Sequence, residues 1–215
     1  MKKDPREITS SLTHFFGAVT ALAGTVKIAR ISMIRGGTAP LVSVLVFGVS
    51  MTLLYSVSSL YHWCCAVKAR AEMLMQRLDH MAIFLLIAGT YTPICIVALG
   101  RPLGYIMLAL VWGAAAAGLF MKIFWMNAPV WLSCAVYITL GWLALFFAVP
   151  LARALTIPEM VWLTAGGVLY TAGALVFGFE RPRLKLSWFG PHELFHLFVI
   201  GGSVCHYITI TLCLG

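Results

Sequence analysis

The sequence predicts an all-α protein, a seven-transmembrane helix bundle with its N-terminus cytoplasmic and its C-terminus outside. Three observations carry that prediction. Of 215 residues, 61% are hydrophobic and 10% charged, and the mean hydropathy is +0.96, whereas soluble domains carry roughly 25% charged residues. The apolar residues fall into seven runs, each near the ~20 residues that cross a bilayer. Charged, proline or glycine breaks separate the runs. A soluble enzyme is excluded, because one compact core has too little interior for so much apolar side chain. The chain 1–215 is expected to form a single integral membrane domain.

The elements follow in order. The first span, about 11–33, carries Lys27 and Arg30 at its far end, where long cationic side chains snorkel to the interface. No small-residue cleavage site follows the charged start, so it reads as a span rather than a signal peptide. Arg35–Pro40 separates it from the second span, about 41–64. Lys68–Gln76 precedes the third, about 79–99, and Gly100–Pro102 the fourth, about 103–123. Asn127–Pro129 opens the fifth, about 129–149. Arg153–Pro158 leads to the sixth, about 159–178, and Glu180–Pro191 to the seventh, about 192–213.

The net charge is +8. On a membrane protein this points to loop cations facing anionic lipid, with no nucleic-acid partner. With the N-terminus inside, Lys2, Lys3, Arg6, Lys68, Arg70, Arg77, Lys122, Arg181, Arg183 and Lys185 fall inside. Lys27, Arg30, Arg35, Arg101 and Arg153 fall outside. That bias sets the expected orientation. The six cysteines are scattered, without CxxC spacing, which excludes a disulfide framework or zinc knuckle. Cys64 and Cys65 can ligate a soft metal, but small apolar packing is the simpler role.

Polar groups within spans are costly and so are functional candidates. Here they gather at one membrane face: His14, His62, Asp79, His192, Glu193 and His196. His192 and His196, four apart, share a helix face about 6 Å apart along the axis. Two such imidazoles can bind one Zn²⁺, with His62 as third ligand and a fourth position open. Ser58 lies one turn deeper than His62. A lone histidine at a helix end is ordinarily an interfacial group. Three at one level, two of them at i,i+4, are not. Asp79 reads either as an N-cap or as the carboxylate that takes a proton from water activated by the metal. His80 points elsewhere and is expected to bond a neighbouring helix. His206, about 15 Å deeper, is expected to be a buried hydrogen-bond partner. His192–His196 also matches HExxH, in which Glu193 would be the base of an intramembrane zinc protease and Asp79 a third ligand. Otherwise Glu193 serves the loop or lipid interface.

Ser58-Ser-Leu-Tyr-His62, Leu78-Asp79-His80, Ile87-Ala-Gly-Thr-Tyr-Thr-Pro93 and His192-x3-His196 followed by Gly202-Ser203 and His206 resemble the hemolysin III family. Glu7…Thr13-His14-x-x-Gly17 fits as well. These are bacterial members of the progestin and adipoQ receptor superfamily. The resemblance implies seven helices in the bacterial inner membrane, a cytoplasmic N-terminus and zinc near the inner leaflet. It matches His62, His192 and His196 to the zinc ligands, Asp79 to the carboxylate that holds the water, and Ser58 to the serine of S-x3-H. Expected partners are membrane lipids, including a lipid substrate. The expected function is zinc-dependent hydrolysis of lipid amides or esters, as in ceramidase-like relatives. The alternative is a membrane-homeostasis sensor or cytolysin with structural zinc.

Overall fold

The computed structural model describes residues 4–64, 69–182, 184 and 186–215. Lys2, Lys3, Cys65, Lys68, Arg183 and Lys185, and the side chain of Arg70, lie outside the described residues. Eight α-helices and two irregular helical stretches compose seven spans of membrane length, with no strand among the described residues.

Helix α1 (Pro5–Arg35) starts earlier than the apolar run at 11. The Asp4 side chain accepts from the Arg6 N–H at 3.0 Å, and Pro5 occupies the first helical position, both favoured there. It ends at Gly36 and Gly37, whose φ values of 84° and 94° suit glycine. Helix α2 (Thr38–Cys64) returns along α1.

Helix α3 (Ala69–Pro93) begins ten residues before Asp79, which corrects the expected start at 79. Residues 69–76 include Ala71, Glu72, Met73, Leu74, Met75 and Gln76, all strong helix formers. Hydropathy marks where the apolar run begins, not where the helix does. Asp79 is therefore well inside α3 and is not an N-cap. A π-helical stretch (Ile94–Leu99) follows and closes with the Gly100 N–H on the Cys95 carbonyl at 3.0 Å.

Helix α4 (Leu103–Phe124) precedes a composite fifth span made of α5 (Val130–Gly141), a 3-10 stretch (Trp142–Phe147) and α6 (Ala148–Ala154). The tightened stretch has a cause in Pro150, which lacks an N–H and crowds the carbonyl four residues earlier. The Tyr91 hydroxyl satisfies this irregular backbone, accepting from the Ala144 N–H at 3.1 Å and donating to the Gly141 carbonyl, as non-helical backbone at membrane depth requires. Helix α7 (Ile157–Phe179) is capped by Glu159, which accepts from the Thr156 N–H at 2.6 Å. Helix α8 (Pro191–Leu214) packs against α7 and α1.

Phe15, Phe16, Phe120, Phe124, Phe146 and Phe179 point outward, as suits a bundle dissolved in lipid. Lys122 does not join the charges facing anionic lipid, correcting that expectation. It is 1% exposed, and its Nζ donates to Ser133 Oγ at 2.7 Å, because its position in the last turn of α4 faces α5. A cavity of about 320 Å³ lies among the helices. At one end it meets His14, Ser58, Asp79 and His196, and it runs beside Gly141 and Ala144 toward Leu151 and Met160.

Candidate metal centre

The centre is assembled where α1 and α8 begin and α2 ends. Hydrogen bonds between the helices hold that junction. Ser11 Oγ donates to the Ser59 carbonyl at 3.0 Å while Ser59 Oγ donates to the Ser11 carbonyl at 2.9 Å. Ser10 Oγ donates to Glu193 Oε1 at 2.8 Å, tying α1 to α8.

His62, His192 and His196 each present a ring nitrogen within 4.8 Å of the other two. Their tautomers are set by their neighbours. Glu7 Oε2 accepts from His62 Nδ1 at 2.7 Å, so the His62 Nε2 lone pair faces inward. Thr13 spends its proton on the Ser10 carbonyl at 2.9 Å. His196 Nδ1, 3.4 Å from Thr13 Oγ1, must then be the donor, leaving its own Nε2 lone pair free. His62 Nε2 and His192 Nε2 face each other at 3.1 Å. Two nitrogens bound to one tetrahedral Zn²⁺ at about 2.0–2.1 Å lie about 3.3 Å apart. The donor set therefore fits a metal ion of this kind, with the outer nitrogens of two ligands held by protein oxygens, as metal-bound histidines usually are.

Asp79 and Ser58 are not among the ligand atoms. Both line the cavity beside His196, and the Ser58 side chain interacts with the Asp79 carboxyl. Asp79 is half-buried, its open surface facing the cavity.

Glu193 departs from the expectation of a metal-site base and meets that of a residue serving the loop. It is 2% exposed, neither at the lipid interface nor turned to the metal-capable nitrogens. Its Oε2 accepts from the Gly190 N–H at 2.7 Å, the capping bond of the helix that carries both histidines, and its Oε1 takes the Ser10 hydroxyl. Both oxygens are thus committed to structure. His80 also differs. Its backbone carbonyl accepts from Tyr137 Oη at 3.3 Å, but its buried Nδ1 has no partner among the described residues. His206 is buried as expected and stands apart from the metal-capable group, yet its Nδ1 also lacks a hydrogen bond among the described residues. Cys64 is half-buried and is not part of that group.

The sequence assigned no role to Glu7, Thr13 or His14. His14 stacks on His196 with centroids 3.6 Å apart and planes 9° from parallel. Parallel rings point their lone pairs along separate planes, so His14 in this pose cannot join His196 on one ion. The available signal was the polar and small stripe Ser10, His14, Gly17, Ala21 and Thr25 along α1, since in a bilayer such residues mark the packed face. Glu7→Gln is expected to weaken metal affinity about 10- to 100-fold, as read by competition with a chromophoric chelator.

Fold and centre together define a seven-helix, multi-pass membrane protein with a three-histidine, metal-capable site at one end of its bundle. The family model described as Haemolysin-III related matches residues 3–207. Hemolysin-3 from Bacillus cereus is 37% identical over 95% of this chain and 90% of its own length, and the Hemolysin-3 homolog of Bacillus subtilis (strain 168) is 33% identical over 95% and 92%. The monocyte to macrophage differentiation factor of Homo sapiens is 24% identical over 92% of this chain and 80% of its own. The chain belongs to the Haemolysin-III-related family and is a multi-pass bacterial membrane protein.

Proposed function

We propose that this protein is a zinc-dependent hydrolase of lipid amides or esters. The observation that carries the reading is the junction of three converging imidazoles with an apolar cavity that also presents Asp79 and Ser58. His62, His192 and His196 would hold the zinc. Zinc bound there would supply Lewis acidity, polarising a carbonyl and acidifying water. The cavity takes the acyl chain and excludes bulk water from the reacting bond. Asp79 accepts the proton of the attacking water, and Ser58 donates to the developing oxyanion or positions that water.

The name hemolysin-3 carried by the Bacillus relatives favours a second reading, a lytic or sensor protein with structural zinc. Three protein ligands among the described residues leave one position open, whereas structural zinc sites close with four, and that difference favours hydrolysis. The test is a lipid profile of membranes with and without the overexpressed protein, repeated with zinc-stripped protein. Accumulation of free fatty acid that depends on zinc supports the hydrolase, and lysis of vesicles without lipid turnover supports the alternative.

Orientation decides which leaflet supplies the substrate. With Lys122 buried, nine cations against five still favour a cytoplasmic N-terminus. A reporter fused after Gly215 is expected to read outside, and one inserted in the segment 65–68 inside. The reverse pattern would move the site to the outer leaflet.

A further inference from the structure

We propose that the cavity contains a second polar subsite, formed by His206 and the Tyr170 hydroxyl, that binds a hydroxyl group carried on the acyl chain about 15 Å from the metal centre. This rests on the reading of the cavity as an acyl-chain site. His206 and His196 line the same cavity and lie ten residues apart on α8. That separation is about 15 Å along the axis, roughly half the ~30 Å hydrocarbon core, or one leaflet of acyl chain. Leu163 and Met160, beyond Gly166 on α7, offer nothing to a polar group, so the polar atoms near this depth are those of His206, Tyr170 and Thr164.

His206 is built into the site rather than left over in it. Its ring lies 5.2 Å from that of Tyr170 and rests against the backbone of α7 at Gly166. A Cβ at that position would sit 2.7 Å from Nε2, so only glycine admits the imidazole there. Nδ1 is closed even to water and has no hydrogen-bond partner among the described residues, a costly state for a buried polar atom. The nitrogen left for a ligand is therefore Nε2, which no hydrogen bond within the described residues engages. Tyr170 has hydrogen-bonding capacity to spare as well. Tyr55 Oη donates to Ser203 Oγ at 2.6 Å, and Ser203 Oγ lies 2.8 Å from Tyr170 Oη. With the Tyr55 proton on Ser203, the Ser203 proton goes to the Tyr170 oxygen, and the Tyr170 proton is free for a ligand. A neutral imidazole beside a phenol donor matches a hydroxyl, which both accepts and donates. A plain methylene matches neither. The ligand class is therefore a long-chain lipid hydroxylated roughly a dozen carbons from its carbonyl.

The test compares dodecanoate, 12-hydroxydodecanoate and 6-hydroxydodecanoate binding to the zinc-loaded protein in lipid nanodiscs. The 12-hydroxy compound is expected to bind about tenfold tighter than dodecanoate, the scale of one hydrogen-bonded group, and the 6-hydroxy compound to gain nothing. His206→Phe and Tyr170→Phe are each expected to bring the ratio of the first two affinities toward one. Equal affinities in the wild type, an equal gain from the 6-hydroxy compound, or a preference that survives both variants overturns the subsite. Failure of all three to bind the wild type overturns the acyl-chain reading and the subsite with it.

Discussion

His196→Ala is expected to purify without metal, falling from about one zinc per chain to less than about a tenth. The expectation rests on the way the three ligands are held. His196 is 2% exposed, its Nδ1 is engaged by Thr13, and its ring is pinned under His14, so its Nε2 direction is fixed before any ion arrives. Removing it leaves His62 and His192, with Asp79 and Ser58 outside the ligand group and no further donor in that group among the described residues. The consequence extends to stability, since an ion that binds only the folded bundle raises its apparent stability by about 4 kcal/mol at a thousandfold excess over its dissociation constant. Metal analysis after dialysis, with a melting curve in detergent with and without zinc, reads both effects. Full zinc occupancy in a His62→Ala, His192→Ala double variant would refute the site.

The legible and illegible parts of this molecule divide along the range of the interactions involved. Seven spans could be read because hydropathy is a property of each run by itself. The pairing of His192 with His196 could be read because an i,i+4 spacing fixes a shared face without any tertiary information. The convergence of His62 on that pair followed from counting spans. The start of α3 could not be read from the apolar run, because Arg70, Glu72 and Gln76 interrupt the apolar residues of 69–76 without interrupting the helix. The fate of Glu193 illustrates a different limit. A helical wheel places it about 100° from His192, but what it meets there is Ser10, more than 180 residues away in sequence. The same holds for the His14–His196 stack and for the Glu7 carboxylate behind His62. Lys122 was counted as a surface charge because a lysine near a span end ordinarily is one. Its burial against Ser133 depends on how α4 meets α5.

Asp79→Asn is expected to keep the metal and lose about 10²-fold or more of any lipid hydrolysis, the scale on which a general base contributes. Asparagine preserves size and can still hydrogen-bond water and Ser58, but it cannot take up a proton. The metal-capable nitrogens are all imidazoles on α2 and α8, whereas Asp79 approaches from α3 on the cavity side, so its substitution does not touch the donor set. Glu193→Gln tests the competing HExxH chemistry on the neighbouring position. Both Glu193 oxygens accept hydrogen bonds, from the Gly190 N–H and the Ser10 hydroxyl. Glutamine keeps one acceptor oxygen for the Gly190 N–H and turns its amide N–H toward Ser10 Oγ, so two hydrogen bonds to a charged carboxylate become neutral ones, at about 1 kcal/mol of stability. The rate is expected to change by less than about tenfold. Metal content, melting temperature and turnover measured on the two variants separate the roles: Asp79→Asn lowers turnover alone, and Glu193→Gln lowers chiefly the melting temperature. Abolished hydrolysis in Glu193→Gln with turnover spared in Asp79→Asn would make the HExxH glutamate the base. If neither variant alters a lipid profile that the wild type does alter, the zinc is structural and catalysis is the wrong class of function.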